Sequence, residues 1–441
     1  MKKEILEKQN YIVSESPEIN VGERLGWVRK FSGAVPALQS RNYRIYFIGQ
    51  FISLVGSWLQ IVAQGWLVWQ LTKSALALGI ITAIGALPVL FFSLFGGVIV
   101  DRFPKRKILV LTQVSSMALA LTLGLLTLSN WINVWQIAIV AFLLGIVNAV
   151  DAPARQAFVI EMVNKKEHLS SAIALNSGIF NGARVIGPAI AGVLIAVFGV
   201  GWAFIINGIS YVGVIGALLS MKIKETKNQV HPRAISAIKE GVSYALKHPL
   251  IKVLLIFTGV VSVFGWSYIT IMPFVSETIF HMGAGGLSYL YAAAGAGALL
   301  GVVMVSMLSN RINPLIFILG GNAVFTAGII LFTLTTNFAV ALFFLLFAGA
   351  GLLSQFSMMN VTIQKSVVQK YRGRVMSLYT LMFLGLTPLG SFQVGFFTEH
   401  FGSGFAIRLG AVISFCVALL ILKNRRKIEK TYRAYRENGQ Q

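Results

Sequence analysis

Charge is what this chain of 441 residues is short of: Asp, Glu, Lys and Arg make up 12% of it, about half their share in a soluble globular protein. Water therefore cannot be its main solvent. There is one cysteine, Cys416, inside an apolar run and with no intrachain partner, so a disulfide framework is excluded. No His or Cys cluster has metal-ligand spacing and no glycine-rich loop ends in Gly-Lys-Ser or Gly-Lys-Thr. Neither a metal, a cofactor nor ATP is expected as a partner. An acid, a base, a nucleophile and an oxyanion donor cannot be assembled into one set, so the expectation is a protein that is not an enzyme. The first 41 residues mix Lys2, Lys3 and Lys8 with five glutamates and lack a short apolar core before a small-residue cleavage site. No cleavable signal peptide is expected.

Apolar length is what the chain has instead, with 56% of its residues hydrophobic. A bilayer core of about 30 Å needs about 20 apolar residues per helix. Charge-poor runs lie near 45–69, 75–99, 108–129, 134–150, 171–198, 201–221, 253–276, 285–308, 315–334, 338–364, 375–397 and 404–422. None shows the ten-residue alternation of an outer-membrane barrel, and helices satisfy their own backbone groups in lipid. The fold class read from this is an all-α membrane protein of twelve transmembrane helices.

The net charge of +22 would point to nucleic acid in a soluble protein, but its distribution points elsewhere. With the N-terminus inside, 34 of the 37 lysines and arginines fall in the segments on that side, against Lys73 and Arg408 outside and Arg184 within a run. That bias fits the positive-inside rule, so the expected location is the cytoplasmic membrane with both termini cytoplasmic and no nucleic acid bound. The polar segment from Lys222 to Pro249 divides the runs six and six. The expected organisation is a tail over 1–42, six-helix bundles over 43–221 and 250–423, a linker over 222–249 whose middle, Ile235 to Leu246, is weakly amphipathic, and a basic tail over 424–441. Gly187-Pro188 in the fifth run has an echo in Thr387-Pro388 of the eleventh, and Asp101-Arg102 a faded one in Asn310-Arg311, as expected of a duplicated, pseudo-symmetric chain.

The loop after the second run reads Gly97-Val98-Ile99-Val100-Asp101-Arg102-Phe103-Pro104-Lys105-Arg106. Here the chain resembles the major facilitator superfamily, whose signature has Gly, three residues, Asp, a basic residue, any residue, Gly and two basic residues; Pro104 replaces the second Gly. The fifth run carries Asn181-Gly182-Ala183-Arg184-Val185-Ile186-Gly187-Pro188, similar to the Gly-Pro motif of that superfamily's exporters. Together with Asp151-Ala152-Pro153-Ala154-Arg155-Gln156 and Arg372-Gly373-Arg374-Val375-Met376-Ser377, the chain resembles the transmembrane secretion effector branch, which includes enterobactin exporters, from about Arg41 to Leu422. The resemblance implies two six-helix bundles and a gate on the cytoplasmic side made by Gly97, Asp101, Arg102, Arg106 and Arg374. A carboxylate such as Asp101 can face the positive end of another helix, here the start of the eleventh span near Gly373 to Ser377.

Arg184 is the one charge deep inside a run. Such a charge is costly in lipid, so it contacts either an anionic solute group or structural carbonyls and amides. Ser53, Ser57, Gln60 and Gln64 recur at helical spacing as one polar stripe, and the tenth run repeats the theme with Gln355, Ser357, Asn360 and Gln364. A stripe of this kind needs water or polar partners on a neighbouring helix. The resemblance implies that these faces, with Asn181 and aromatic walls from Trp66 and Trp266, line a central cavity. Asp101, Asp151, Glu161, Glu277 and Glu399 are all expected near helix ends, which lends little support to a proton relay, although the family commonly runs on the proton gradient. The expected function is secondary active export of a small molecule such as a drug, siderophore or other metabolite by alternating access. An uptake symporter, or a non-transporting sensor or scaffold, is the alternative.

Overall fold

In the computed structural model the described residues are 36–163, 168–221, 234–309, 311–426, 428 and 430, and no strand occurs among them. Twelve helices are long and apolar enough to cross a bilayer. Spans 1 to 6 are Arg41–Thr72, Ala75–Arg102, Lys105–Leu128, Val134–Met162, Leu169–Phe198 and Val200–Ser220. Spans 7 to 12 are Pro249–Ile279, Gly283–Leu308, Pro314–Leu334, Phe338–Ser366, Arg372–Phe401 and Ser403–Lys423. Large apolar side chains such as Leu111 and Val193 point outward, as lipid-facing residues do. Trp131 and Trp135 are exposed beside the turn between spans 3 and 4, the position of an interfacial aromatic belt.

Local chemistry sets the helix ends. Ser74 Oγ accepts from Ala77 N at 3.1 Å to start span 2, and Asn133 and Gln136 form a reciprocal capping box at the start of span 4. Gly199 ends span 5 at φ +84 and Gly402 ends span 11 at φ +82, a backbone that a Cβ would strain. Gly402 stands 203 positions after Gly199, which marks the duplication in the backbone itself. On that offset Gly187 matches Gly390, so the Thr387-Pro388 echo sits one turn early. Both glycines make the same kind of close crossing: a Cβ on Gly187 would lie 2.5 Å from Trp58 Cβ of span 1, and one on Gly390 would lie 2.6 Å from Val263 O of span 7.

Span 4 differs from the expectation that its run ends at 150. The helix continues to Met162, because Arg155 pairs with Asp151 one turn earlier and removes the reason for the helix to stop at a charge. Span 7 is irregular, with π-helical turns at Val261–Trp266 and Val275–Ile279 around a 3-10 turn at Ser267–Ile271. Span 11 has a similar π turn at Leu381–Gly385 before Pro388. Pro388 has no N–H to offer the turn behind it, and Ser262 of span 7 donates instead to Phe383 O at 2.6 Å.

Spans 1–6 and 7–12 meet mainly where span 2 packs on span 11 and span 5 on span 8. The contact of spans 2 and 11 is antiparallel, with Ala75 beside Glu399, Gly79 beside Gly395 and Leu90 beside Gly385. Continuing the same register puts Asp101 level with Gly373. A linker helix, Ala234–Lys247, packs on the start of span 11: Tyr244 stacks on Tyr371 with ring centroids 4.6 Å apart, and a Cβ on Gly241 would lie 2.7 Å from Arg374 Cβ. The linker thus rides on the second half.

Candidate functional site

Arg184 is 5% exposed and lies halfway along span 5. Its guanidinium carbon is 4.6 Å from the ring centroid of Trp266 in span 7 and 5.5 Å from that of Trp58 in span 1. The cation therefore sits between the two halves, held by indole faces from each. The ion pairs among the described residues are Lys105–Glu161, Arg155–Asp151 and Arg374–Glu240, and Arg184 is in none of them. The buried hydroxyl of Tyr268, within electrostatic reach of Arg184, has no hydrogen-bond partner among the described residues. From Trp266 an aromatic wall continues through Phe356 of span 10 and Phe383 and Tyr379 of span 11, with ring centroids 4.5–6.2 Å apart. The irregular turns of span 7 bring Trp266 and Tyr268 toward this centre, which helical periodicity alone does not predict.

The polar stripes are spent differently from the expectation. Gln60 does not face a cavity: its Oε1 accepts from Asn207 Nδ2 of span 6 at 2.5 Å, and Ser57 Oγ lies 3.3 Å from Tyr211 OH of the same span. Gln355 is fully buried and accepts at 3.1 Å from Asn322 Nδ2 of span 9, which also donates to Ser414 Oγ of span 12 at 2.7 Å. Both glutamines glue helices within one half, because an amide in lipid is stabilised by the nearest polar neighbour. Gln64 and Asn181 are half-buried. Asn360, also half-buried, accepts from Gln364 Nε2 at 2.6 Å. Trp66 is buried in span 1, toward the end of the molecule away from the basic loops.

That far end is sealed between the halves. Trp69 of span 1 meets Phe274 of span 7 edge-on with centroids 5.4 Å apart, and a Cβ on Gly65 would lie 3.2 Å from Pro273 Cγ. Glu399 Oε2, from the last turn of span 11, accepts from Ala75 N at 2.7 Å, Leu76 N at 3.2 Å and Ser74 Oγ at 3.2 Å. A carboxylate of one half thus caps the helix N-terminus of the other.

The basic end is less tightly packed between the halves. Among the described residues spans 4 and 10 share no extensive face, and span 2 packs more on Leu381–Gly385 than on Arg372–Thr380. Arg106 and Arg374, two of the expected gate residues, each bond within their own half. Arg106 donates to Leu219 O at 2.7 Å, neighbouring Lys105 pairs with Glu161 at 2.5 Å, and Arg102 is exposed. Arg374 pairs with Glu240 of the linker helix and lies over the Tyr371 ring. Gly97 and Asp101 lie in the last turns of span 2, and the Asp101 side chain is outside the described residues.

Sequence reasoning missed Asp151, which is not at a helix end. It is 2% exposed inside span 4, accepts from Thr112 Oγ1 and Gln113 Nε2 of span 3 at 2.8 Å each, and pairs with Arg155. The i, i+4 spacing of Asp151 and Arg155 was the available signal.

A family model described as transmembrane secretion effector matches residues 32–436. The chain is similar to the staphyloferrin A transporter of Staphylococcus aureus, at 26% identity over 88% of this chain and 97% of that protein. It is similar to macrolide efflux protein A of Streptococcus pyogenes, at 22% identity over 86% and 96%, and to the enterobactin exporter EntS of Escherichia coli, at 23% over 88% and 94%. Among solved structures, a POT family transporter in complex with 5-aminolevulinic acid superposes with a TM-score of 0.73 at 13% identity, over 88% of this chain and 97% of that one.

Proposed function

The chain belongs to the transmembrane secretion effector family of major facilitator transporters, and from that premise we propose that it exports a small organic solute from the cytoplasm by rocking its two halves about a midplane site. The observation that carries this reading is the asymmetry of closure: one end joined by Trp69, Phe274 and Glu399, the other more sparsely packed, with Arg184 and its indoles between them. The cation bias assigns the sparsely packed, basic end to the cytoplasm, which puts both termini and the linker there and the Glu399 seal outside. The moving units are 43–221 and 250–423, joined by the linker over 222–249. In the cycle the basic end closes when Asp101 meets the start of span 11, supported by the shared register with Gly373, and Arg374 exchanges Glu240 for it. The proton gradient supplies the energy; no ATP and no covalent step are involved. Two of the similar proteins are named for efflux or export, which supports the direction.

The test is transport in everted membrane vesicles containing the chain, with labelled macrolide, enterobactin and staphyloferrin A as trial solutes. At least one should accumulate on energisation and be released by an uncoupler. Accumulation only in right-side-out vesicles would reverse the direction, and accumulation of none in either orientation would remove the transport reading for these solutes.

A further inference from the structure

We propose that the midplane site is built to bind an aromatic carboxylate, a flat apolar body carrying one negative charge. The inference rests on the transporter reading for its route, but it is a claim about binding and can be tested without transport.

The first argument is charge. A cation at mid-depth is costly in lipid, and the acids that form ion pairs or cap a helix among the described residues do so elsewhere. Asp151, Glu161 and Glu240 are paired with Arg155, Lys105 and Arg374, while Glu399 is bound at the far end. No counter-ion for Arg184 stands at its level among the described residues. The second argument is hydrogen bonding. Indole faces attract a guanidinium but cannot accept its five N–H groups. With the unpartnered Tyr268 hydroxyl within electrostatic reach and able to donate, the site is rich in N–H and O–H donors. That is the complement of a carboxylate, whose two oxygens take paired N–H donors.

The third argument is shape. Trp58 and Trp266 flank the cation, and Phe356 and Phe383 extend the wall, so the side chains around the charge suit a flat ring rather than a sugar or a peptide. A cationic solute is repelled there, and a neutral one gains nothing from Arg184. The charge comes from the first half and most of the wall from the second, so an occupant bridges the two units that the proposed cycle moves.

The experiment is calorimetric titration of the full chain in phosphatidylcholine nanodiscs, which contain no competing anionic lipid, with 2-naphthoate, its neutral isostere 2-naphthamide and cationic 2-naphthylmethylamine. Naphthoate should bind about tenfold or more tighter than the amide, as one charge-assisted pair gives, and the amine should bind weakest. Arg184→Gln should abolish the preference. Tyr268→Phe, which removes a hydroxyl that has no partner to abandon, should keep the fold and weaken naphthoate but not naphthamide. If Arg184→Gln does not fold, the wild-type preference and the Tyr268→Phe result decide. Equal binding of acid and amide, binding of neither, or a preference that survives Arg184→Gln would overturn the proposal. Failed vesicle export with an intact anion preference would count against the transport reading alone, whereas export of a neutral macrolide with no anion preference would count against this inference alone.

Discussion

Glu399→Gln tests whether the far-end seal is a gate. The substitution keeps the size of the side chain and one acceptor oxygen but removes the charge that faces Ala75 N, Leu76 N and Ser74 Oγ. A hydrogen bond to a charged group is worth about 1.5–3 kcal/mol when shielded, and a helix N-terminus adds about 0.3–1 kcal/mol. Glu399 is solvent-exposed, so screening reduces the total to about 1 kcal/mol, roughly a fivefold change in the ratio of sealed to open molecules. The assay is electron–electron distance measurement between spin labels at Trp131 and Phe401, exposed positions in the two halves, in a Cys416→Ser background because the native thiol is exposed. The longer-distance population should grow about fivefold in Glu399→Gln, by less in Ser74→Ala, and less at high salt. An unchanged distribution would refute the gating argument and leave Glu399 as a helix cap with no mechanical role.

Asp151→Asn leaves the half-buried Arg155 without its charge partner, so thermal unfolding in detergent should show a loss of up to about 3 kcal/mol. Full stability of the variant would sink the expectation. His248 Nδ1 accepts from Ile251 N at 3.4 Å at the start of span 7, and burial holds its pKa below the ordinary 6.5. The unfolded chain therefore binds the proton first: this contribution to stability is full above about pH 6.5 and is lost as pH falls through the lower folded value. His248→Asn keeps an N-cap without the titration, so melting curves between pH 7.5 and 5 should flatten relative to the parent chain.

The twelve spans were legible because bilayer thickness imposes a length that composition shows directly. What stayed hidden depended on neighbours. The period of Ser53, Ser57 and Gln60 reveals a polar face, but only packing shows that the face meets Asn207 and Tyr211 rather than a cavity. Asp151 looked like the beginning of a loop because a lone acid usually ends an apolar run; its partner four residues on lets the helix continue. Arg184 stood out as a charge, whereas its nearer indole partner, Trp266, closes a π-helical turn of span 7 that ordinary helical periodicity does not reveal. Glu399 gave no signal beyond an acid near a turn, since its meaning lies in a helix 324 positions away in sequence.

Spans 2 and 11 also bear on the energetics of the proposed cycle. They lie antiparallel, and each carries an acid toward its C-terminal end: Glu399 caps the N-terminal amides of span 2, and the shared register puts position 101 level with the start of span 11. The pair is therefore self-complementary, like the two sides of a twofold dimer contact. Two stiff rods crossing at a close glycine contact, Gly79 against Gly395, cannot be tightly closed at both ends. In the proposed cycle the bond broken at one end would be of the same kind as the bond made at the other. End states so matched would differ little in energy, and a small bias from a bound solute or a transferred proton would be enough to invert the population.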